Sequence, residues 1–168
     1  MIFKPRLIFK VIIAKSQFSL SYSHSSSNGV RELIEEYTKW LGRDLSFQNL
    51  DQELADIAAK YLAPEGEILV IVDEGIVQGM VAYHRLSDTR CEIKRLYVRS
   101  TYRGHHAGEI LLEAILDHDK KAGYQEAVLD TIEPLKAAIY LYHKIGFEEC
   151  APYYDNPMDD VIYMAKTL

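Results

Sequence analysis

The chain has 168 residues, 48% of them hydrophobic, and a formal net charge of −6. That length and apolar content fill one core and leave two domains cramped, while the acidic balance sets the overall field against a phosphate-backbone partner. Two cysteines far apart in sequence, Cys91 and Cys150, fit neither a disulfide framework nor a metal-ligand spacing, and both are expected reduced and buried in strands. Leu7 to Ala14 is apolar and follows Lys4 and Arg6, but Lys10 interrupts it and it is too short to span a membrane. Residues 1–16 are therefore expected as an N-terminal extension or extra strand and 17–168 as one domain, in the cytoplasm. Gln17 to Tyr22 alternates polar with apolar residues and predicts a first strand, with Ser23 to Gly29 as the loop after it. Val30, Leu33, Ile34, Tyr37 and Leu41 recur at helical spacing. Leu50, Leu54, Ile57, Ala58 and Tyr61 mark a second helix from about Asn49, closed by Pro64-Glu65-Gly66. Trp40 and Phe47 could line a substrate wall formed by these helices, but buried core is the expected role of both. Ile68–Val72 and Val77–Arg85 form a hairpin through Asp73-Glu74-Gly75, and Cys91–Val98 adds a third strand. A helix over Ala107–Ala122 stops at Gly123 and leads to a strand at Glu126–Leu129. Pro134 opens a late helix, and Phe147–Cys150 and Val161–Ala165 are the last strands. The expected fold class is mixed α/β (α+β), with helices flanking a largely antiparallel sheet in which Cys91–Val98 and Glu126–Leu129 are a parallel pair joined by the crossover helix.

The stretch from Leu96 to Leu112 is a strand that ends in a basic, glycine-bearing turn and opens into an apolar-striped helix. Such a turn offers unpaired backbone N–H groups and the positive end of a helix dipole, which suits a phosphate-bearing ligand. A dinucleotide fingerprint or a P-loop would need other glycine spacings; Gly108 is followed by Glu109, so there is no P-loop lysine and no hydroxyl for magnesium. This weighs against a nucleotide-dependent phosphotransferase. Lys94, Arg95, Arg99 and Arg103 are the local basic cluster and are expected to serve a small anion rather than nucleic acid. His105-His106 is the one histidine pair, and adjacent residues do not ligate one metal from a helix face.

Arg103 and Gly108 stand at the ends of a Gln/Arg-x-x-Gly-x-Gly/Ala pattern whose middle glycine is replaced by His106, and Ala138 to Phe147 ends in Tyr-x-x-x-Gly-Phe. On these residues the chain resembles the GNAT family of N-acetyltransferases from roughly Phe18 onward. Cys91–Val98, Leu129–Thr131 and Pro152–Pro157 are similar to a small bacterial branch of it. The resemblance implies a splayed parallel strand pair that binds acyl-CoA, with the two early helices as the acceptor wall. Acetyl-CoA would be the co-substrate, its pyrophosphate held at Arg103, Gly104, His105, His106, Ala107, Gly108 and Glu109. Leu96, Tyr97 and Val98 would meet its pantetheine arm like an added strand, and Ala138 would contact it from the late helix. The Leu96 N–H would polarise the thioester carbonyl.

The same resemblance makes Tyr142 the general acid for the thiolate and Glu92 the base. An unpaired Glu92 carboxylate in a partly buried strand would have a raised pKa; the other reading of it is an ion pair with Lys94 or Arg95. Leu135 stands where the family often has an asparagine. If His106 needs positive φ, the turn is strained. The implied activity is acetyl transfer to a primary amine of a small molecule, amino acid or peptide by direct attack in a ternary complex, without metal or covalent intermediate. The expected partner is that amine acceptor, with no nucleic acid and no membrane, and a homodimer is the assembly considered. The alternative is a non-catalytic acyl-CoA-binding module of the same fold.

Overall fold

Glu74 and Gly75 both take positive φ, 50° and 79°, as a two-residue turn matched to the right-handed twist of its strands requires. They join β3 (Gly66–Asp73) to β4 (Ile76–Arg85). The structure, a computed structural model, describes residues 9–13, 20–23, 26–61 and 65–168. The expected closure at Pro64, the apolar start at Leu7 and the Gln17 end of the first strand lie outside the described residues. Within them, β1 (Phe9–Ile13) pairs antiparallel with β2 (Leu20–Ser23) and parallel with β3. β5 (Arg90–Val98), β6 (Glu126–Ile132), β7 (Glu148–Glu149) and β8 (Val161–Thr167) complete a sheet of order β2-β1-β3-β4-β5-β6-β8-β7. The pairs β1–β3 and β5–β6 are parallel and the others antiparallel. This is the expected mixed α/β class with its β5–β6 parallel pair.

Helices cover both faces. α4 (Ala107–Ala122) buries Leu111, Leu112 and Ile115 against Leu69, Val81, Ile93 and Leu129. On the other face α1 (Ser26–Leu41) buries Val30, Leu33 and Ile34 against Val70, Met80 and Ala82. α1 begins at Ser26, inside the stretch expected as loop. The single helix expected from Asn49 to Tyr61 is two short ones, α2 (Leu50–Ala55) and α3 (Ile57–Tyr61), broken at Asp56. Arg31 Nη1 donates to the Leu54 carbonyl at 2.9 Å beside the break, and Glu53 turns inward to cations rather than outward to water. α5 (Lys136–Ile145) lies between β6 and β7. Cys91 is buried in β5; Cys150 falls just beyond β7 and is only half-buried, a correction to the expected pair of buried strand thiols.

Two features set the course of β5. Its backbone pairing with β6 covers only Arg90↔Glu126 to Glu92↔Val128, after which the two strands diverge. Its register with β4 slips between Met80, opposite Tyr97, and Ala82, opposite Lys94, so β5 carries one extra residue. Arg95 sits in that bulge with φ of 59°. Cys91 and Ile93 face the α4 core before the slip, and Leu96 and Val98 face it afterwards.

Candidate active site

Where β5 and β6 part, a cleft of about 800 Å³ opens. Its walls are the bulged end of β5, residues 130–132 of β6, the start of α5, the C-terminal half of α1, and the turn before α4. That turn is a 3₁₀ segment, Ser100–Tyr102, followed by Arg103, by Gly104 at φ 86°, and by His106 at φ 55°, which caps α4. The first helical bond runs from Ile110 N to His106 O at 2.9 Å, so the N–H groups of Ala107, Gly108 and Glu109 have no intrahelical partner. Arg103, Gly104, His106, Ala107, Gly108 and Glu109 line the cleft together with Leu96, Tyr97, Val98 and Ala138. His105 is not among the lining residues; its ring lies tilted against that of Tyr102, with centroids 5.4 Å apart.

The basic cluster is mostly engaged elsewhere, another correction. Lys94 is bound by Glu92 and Asp130, Arg95 by Glu53, and Arg99 by Glu36. Arg103 alone of the four has no carboxylate partner among the described residues; its Nε donates to Val98 O, and its guanidinium lies over Trp40 and Tyr97. Trp40, expected in the core, is half exposed and forms an aromatic wall with Tyr37 and Tyr97. Glu109 brings a negative charge to the turn, but Lys144 at 2.6 Å and His106 at 3.2 Å offset it, and those hydrogen bonds, that of Lys144 first, hold its carboxyl below the usual range. Thr131, on β6 in the cleft wall, has a buried hydroxyl without a hydrogen-bond partner among the described residues. An orphaned hydroxyl and free helix-start N–H groups in one cleft suit a ligand that carries both amide and phosphate groups.

Tyr142 lines the cleft from α5, set by the left-handed stop at Gly146 (φ 95°) and by Phe147, whose ring meets it edge-on at 6.0 Å. Burial pushes the phenol well above its ordinary pKa, with Tyr37 and Asp130 adding to the shift. The group keeps its proton throughout the range in which proteins work.

Glu92 differs from the unpaired carboxylate of the expectation. Its Oε2 accepts from His84 Nε2 at 2.5 Å, and its Oε1 accepts from Tyr153 at 2.8 Å and lies 3.0 Å from Lys94 Nζ. Burial pushes its pKa up, but His84 and Lys94 outweigh burial and hold it down at about 2. A saturated anion of this kind is a poor base, so the ion-pair reading holds and the raised-pKa reading does not. His84, directly across the β4–β5 ladder from Glu92, was missed, as were two anchors of the splay. Lys94 Nζ reaches Asp130 at 3.0 Å where backbone pairing has ceased, and Asp130 also accepts from Tyr154 at 2.9 Å. Arg95 is gripped by both oxygens of the buried Glu53, at 2.7 and 3.1 Å. Among the described residues no group of three or more His, Cys, Asp and Glu side chains is arranged to hold a metal ion.

Residues 31–147 match the model of the acetyltransferase (GNAT) family. An uncharacterised N-acetyltransferase of Schizosaccharomyces pombe is 45% identical over 79% of this chain and 82% of its own. An acetyltransferase of Streptococcus agalactiae has a similar fold, with a TM-score of 0.73 at 20% identity over 88% of this chain and 94% of the other. So does the PaiA N-acetyltransferase of Thermoplasma acidophilum, solved with coenzyme A, at a TM-score of 0.64 and 18% identity over 85% and 93% of the two chains.

Proposed function

The chain belongs to the GNAT acetyltransferase family, and on that premise we propose that it transfers an acetyl group from acetyl-CoA to a primary amine by direct attack in a ternary complex. The observation that carries this reading is a single cleft with free helix-start amides at one end and a buried, proton-retaining phenol on its wall. The turn Arg103–Gly108 holds the pyrophosphate, and the diverging ends of β5 and β6 take the pantetheine arm as an added strand. The bulge at Arg95 turns the backbone so that the Leu96 N–H meets the carbonyl oxygen as negative charge builds on it.

The amine nitrogen attacks the carbonyl carbon; the C–N bond forms, the C–S bond breaks, and its electron pair leaves on sulfur. Tyr142 gives its proton to that sulfur. A bare phenolate is costly where burial dominates, so Tyr142 must regain a proton as the nitrogen loses one, and the two transfers are coupled. Tyr142→Phe is expected to lower turnover by on the order of 10²-fold or more while changing acetyl-CoA affinity less than about threefold, a shift of under about 0.7 kcal/mol. Equal turnover in mutant and wild type removes the role.

A non-catalytic acyl-CoA-binding module is the second reading, favoured by His106 in a glycine-like conformation and by Leu135 on the cleft wall. Calorimetry with acetyl-CoA followed by thiol release over an amine panel separates the two, since tight binding without release favours the module. Within the family, the similarity to a yeast protein supports a branch not confined to bacteria.

A further inference from the structure

A second hollow, of about 600 Å³, opens between the turn at Phe47–Asn49, the outer end of the β4–β5 hairpin and the Tyr153–Tyr154 loop. Gln48 and Lys94 line both this hollow and the cleft, so the two spaces meet there. We propose that the hollow receives the acceptor and that this acceptor is an amine bearing a carboxylate, of which a free amino acid is the simplest case. The proposal rests on the acyl-transfer reading and narrows it.

The floor and the rim of the hollow differ in chemistry. At the floor, Glu92 and Lys94 are both buried and held by fixed partners. Two carboxylates, Glu92 and Asp130, outnumber the one ammonium of Lys94 at this wall, so an acceptor amine arriving in its charged form is drawn to it. The acceptor nitrogen is thereby held at the wall shared with the cleft, where it releases a proton before its lone pair attacks. At the rim stand Arg90, Lys60 and His84, with side chains 43%, 26% and 19% exposed. Arg90 uses only its Nε, on Glu126, and Lys60 gives one bond to Glu53. Both Nη groups of Arg90 therefore have no partner among the described residues. A guanidinium with a free fork matches a carboxylate in geometry as well as charge. The charge of Arg90 is shared with Glu126, so a second carboxylate is recognised there by the unused Nη groups rather than by an excess of positive charge. A ligand with its amine inward and its carboxylate outward fits this polarity; a polyamine or an internal lysine of a peptide does not.

The test measures thiol release at saturating acetyl-CoA for the twenty amino acids, their carboxamides, and the corresponding decarboxylated amines. For the best amino acid, kcat/KM is expected to be at least tenfold above that of its carboxamide and of its decarboxylated amine. Arg90→Gln should raise KM for that amino acid tenfold or more, and Arg90→Lys, which keeps the charge but not the fork, should fall between. Acetyl-CoA binding by calorimetry monitors the folded state of each variant. Carboxamides or simple amines that serve as well as the acids overturn the proposal and leave acyl transfer standing, and so does a wild-type KM in Arg90→Gln. Acetyl-CoA binding with no thiol release from any amine overturns acyl transfer and this proposal together.

Discussion

His106 holds φ of 55° at the start of α4, a left-handed conformation that glycine adopts freely and a β-carbon resists. Its side chain is exposed and makes one contact, to Glu109 at 3.2 Å, so little there compensates the strain. Replacing it with glycine is expected to stabilise the protein by about 1 kcal/mol, read as a higher urea midpoint at unchanged slope. A lower midpoint would mean that the imidazole contributes more than its geometry suggests. The strain was foreseeable because the sequence pattern called for glycine at this position. The sequence did not reveal that His105 turns onto Tyr102 while its neighbour stays in the cleft, since adjacent residues differ only in backbone angles. Glu92 teaches the same lesson: the two readings differed by its partners, and two of these, His84 and Tyr153, come from other elements.

At the scale of the element, β5 combines a part that was legible with one that was not. Apolar residues at 91 and 93 and then at 96 and 98 keep a period of two on each side of a one-residue slip, which is the mark of a bulge. The conformation that makes the slip possible depends on Glu53, 42 residues away, which binds the guanidinium of Arg95 in the interior. A buried pair formed across that distance has no local signal, and neither does the break between α2 and α3 that swings Glu53 inward. Both Arg95→Ala and Arg95→Gly should lose about 3–5 kcal/mol by leaving a buried carboxylate with one partner fewer. Glycine should recover about 1 kcal/mol of that because it tolerates the left-handed backbone. Equal stability in the two variants, measured by urea unfolding, would show that the bulge relaxes once the clamp is gone. The crossover from β5 through α4 to β6 was readable from its hydrophobic stripe and glycine stop. The point at which the parallel pair opens was not: the ladder ends at Glu92↔Val128, and the Lys94–Asp130 ion pair that bridges the strands beyond it joins residues 36 apart in sequence.

For the whole molecule, stability should depend on pH through three buried carboxyls that pull in opposite directions. Glu53 and Glu92 are held at about 2, below their ordinary 4.5: burial works against this, and their cationic partners prevail. Each therefore contributes stability that is fully present above pH 4.5 and is lost as the pH falls toward 2. Asp119 is the reverse case. It lies on the apolar stripe of α4, fully buried, with neither carboxyl oxygen in close hydrogen-bond geometry with a donor among the described residues. Burial raises it from 3.8 to about 7, against the pull of Cys91 and His118. Its folded form prefers the proton, so its contribution is complete below pH 3.8 and disappears as the pH rises through 7. The loss is on the order of 4 kcal/mol, from about 1.4 kcal/mol for each pH unit that separates the folded and unfolded pKa. Together the three groups place maximum stability between about pH 4 and 5, well below neutrality. Asp119→Asn cannot ionise, so its unfolding free energy should stay level from pH 5 to 8 where the wild type declines. Urea unfolding across that range checks this directly, and a decline of the same size in the variant would assign the alkaline loss to other groups.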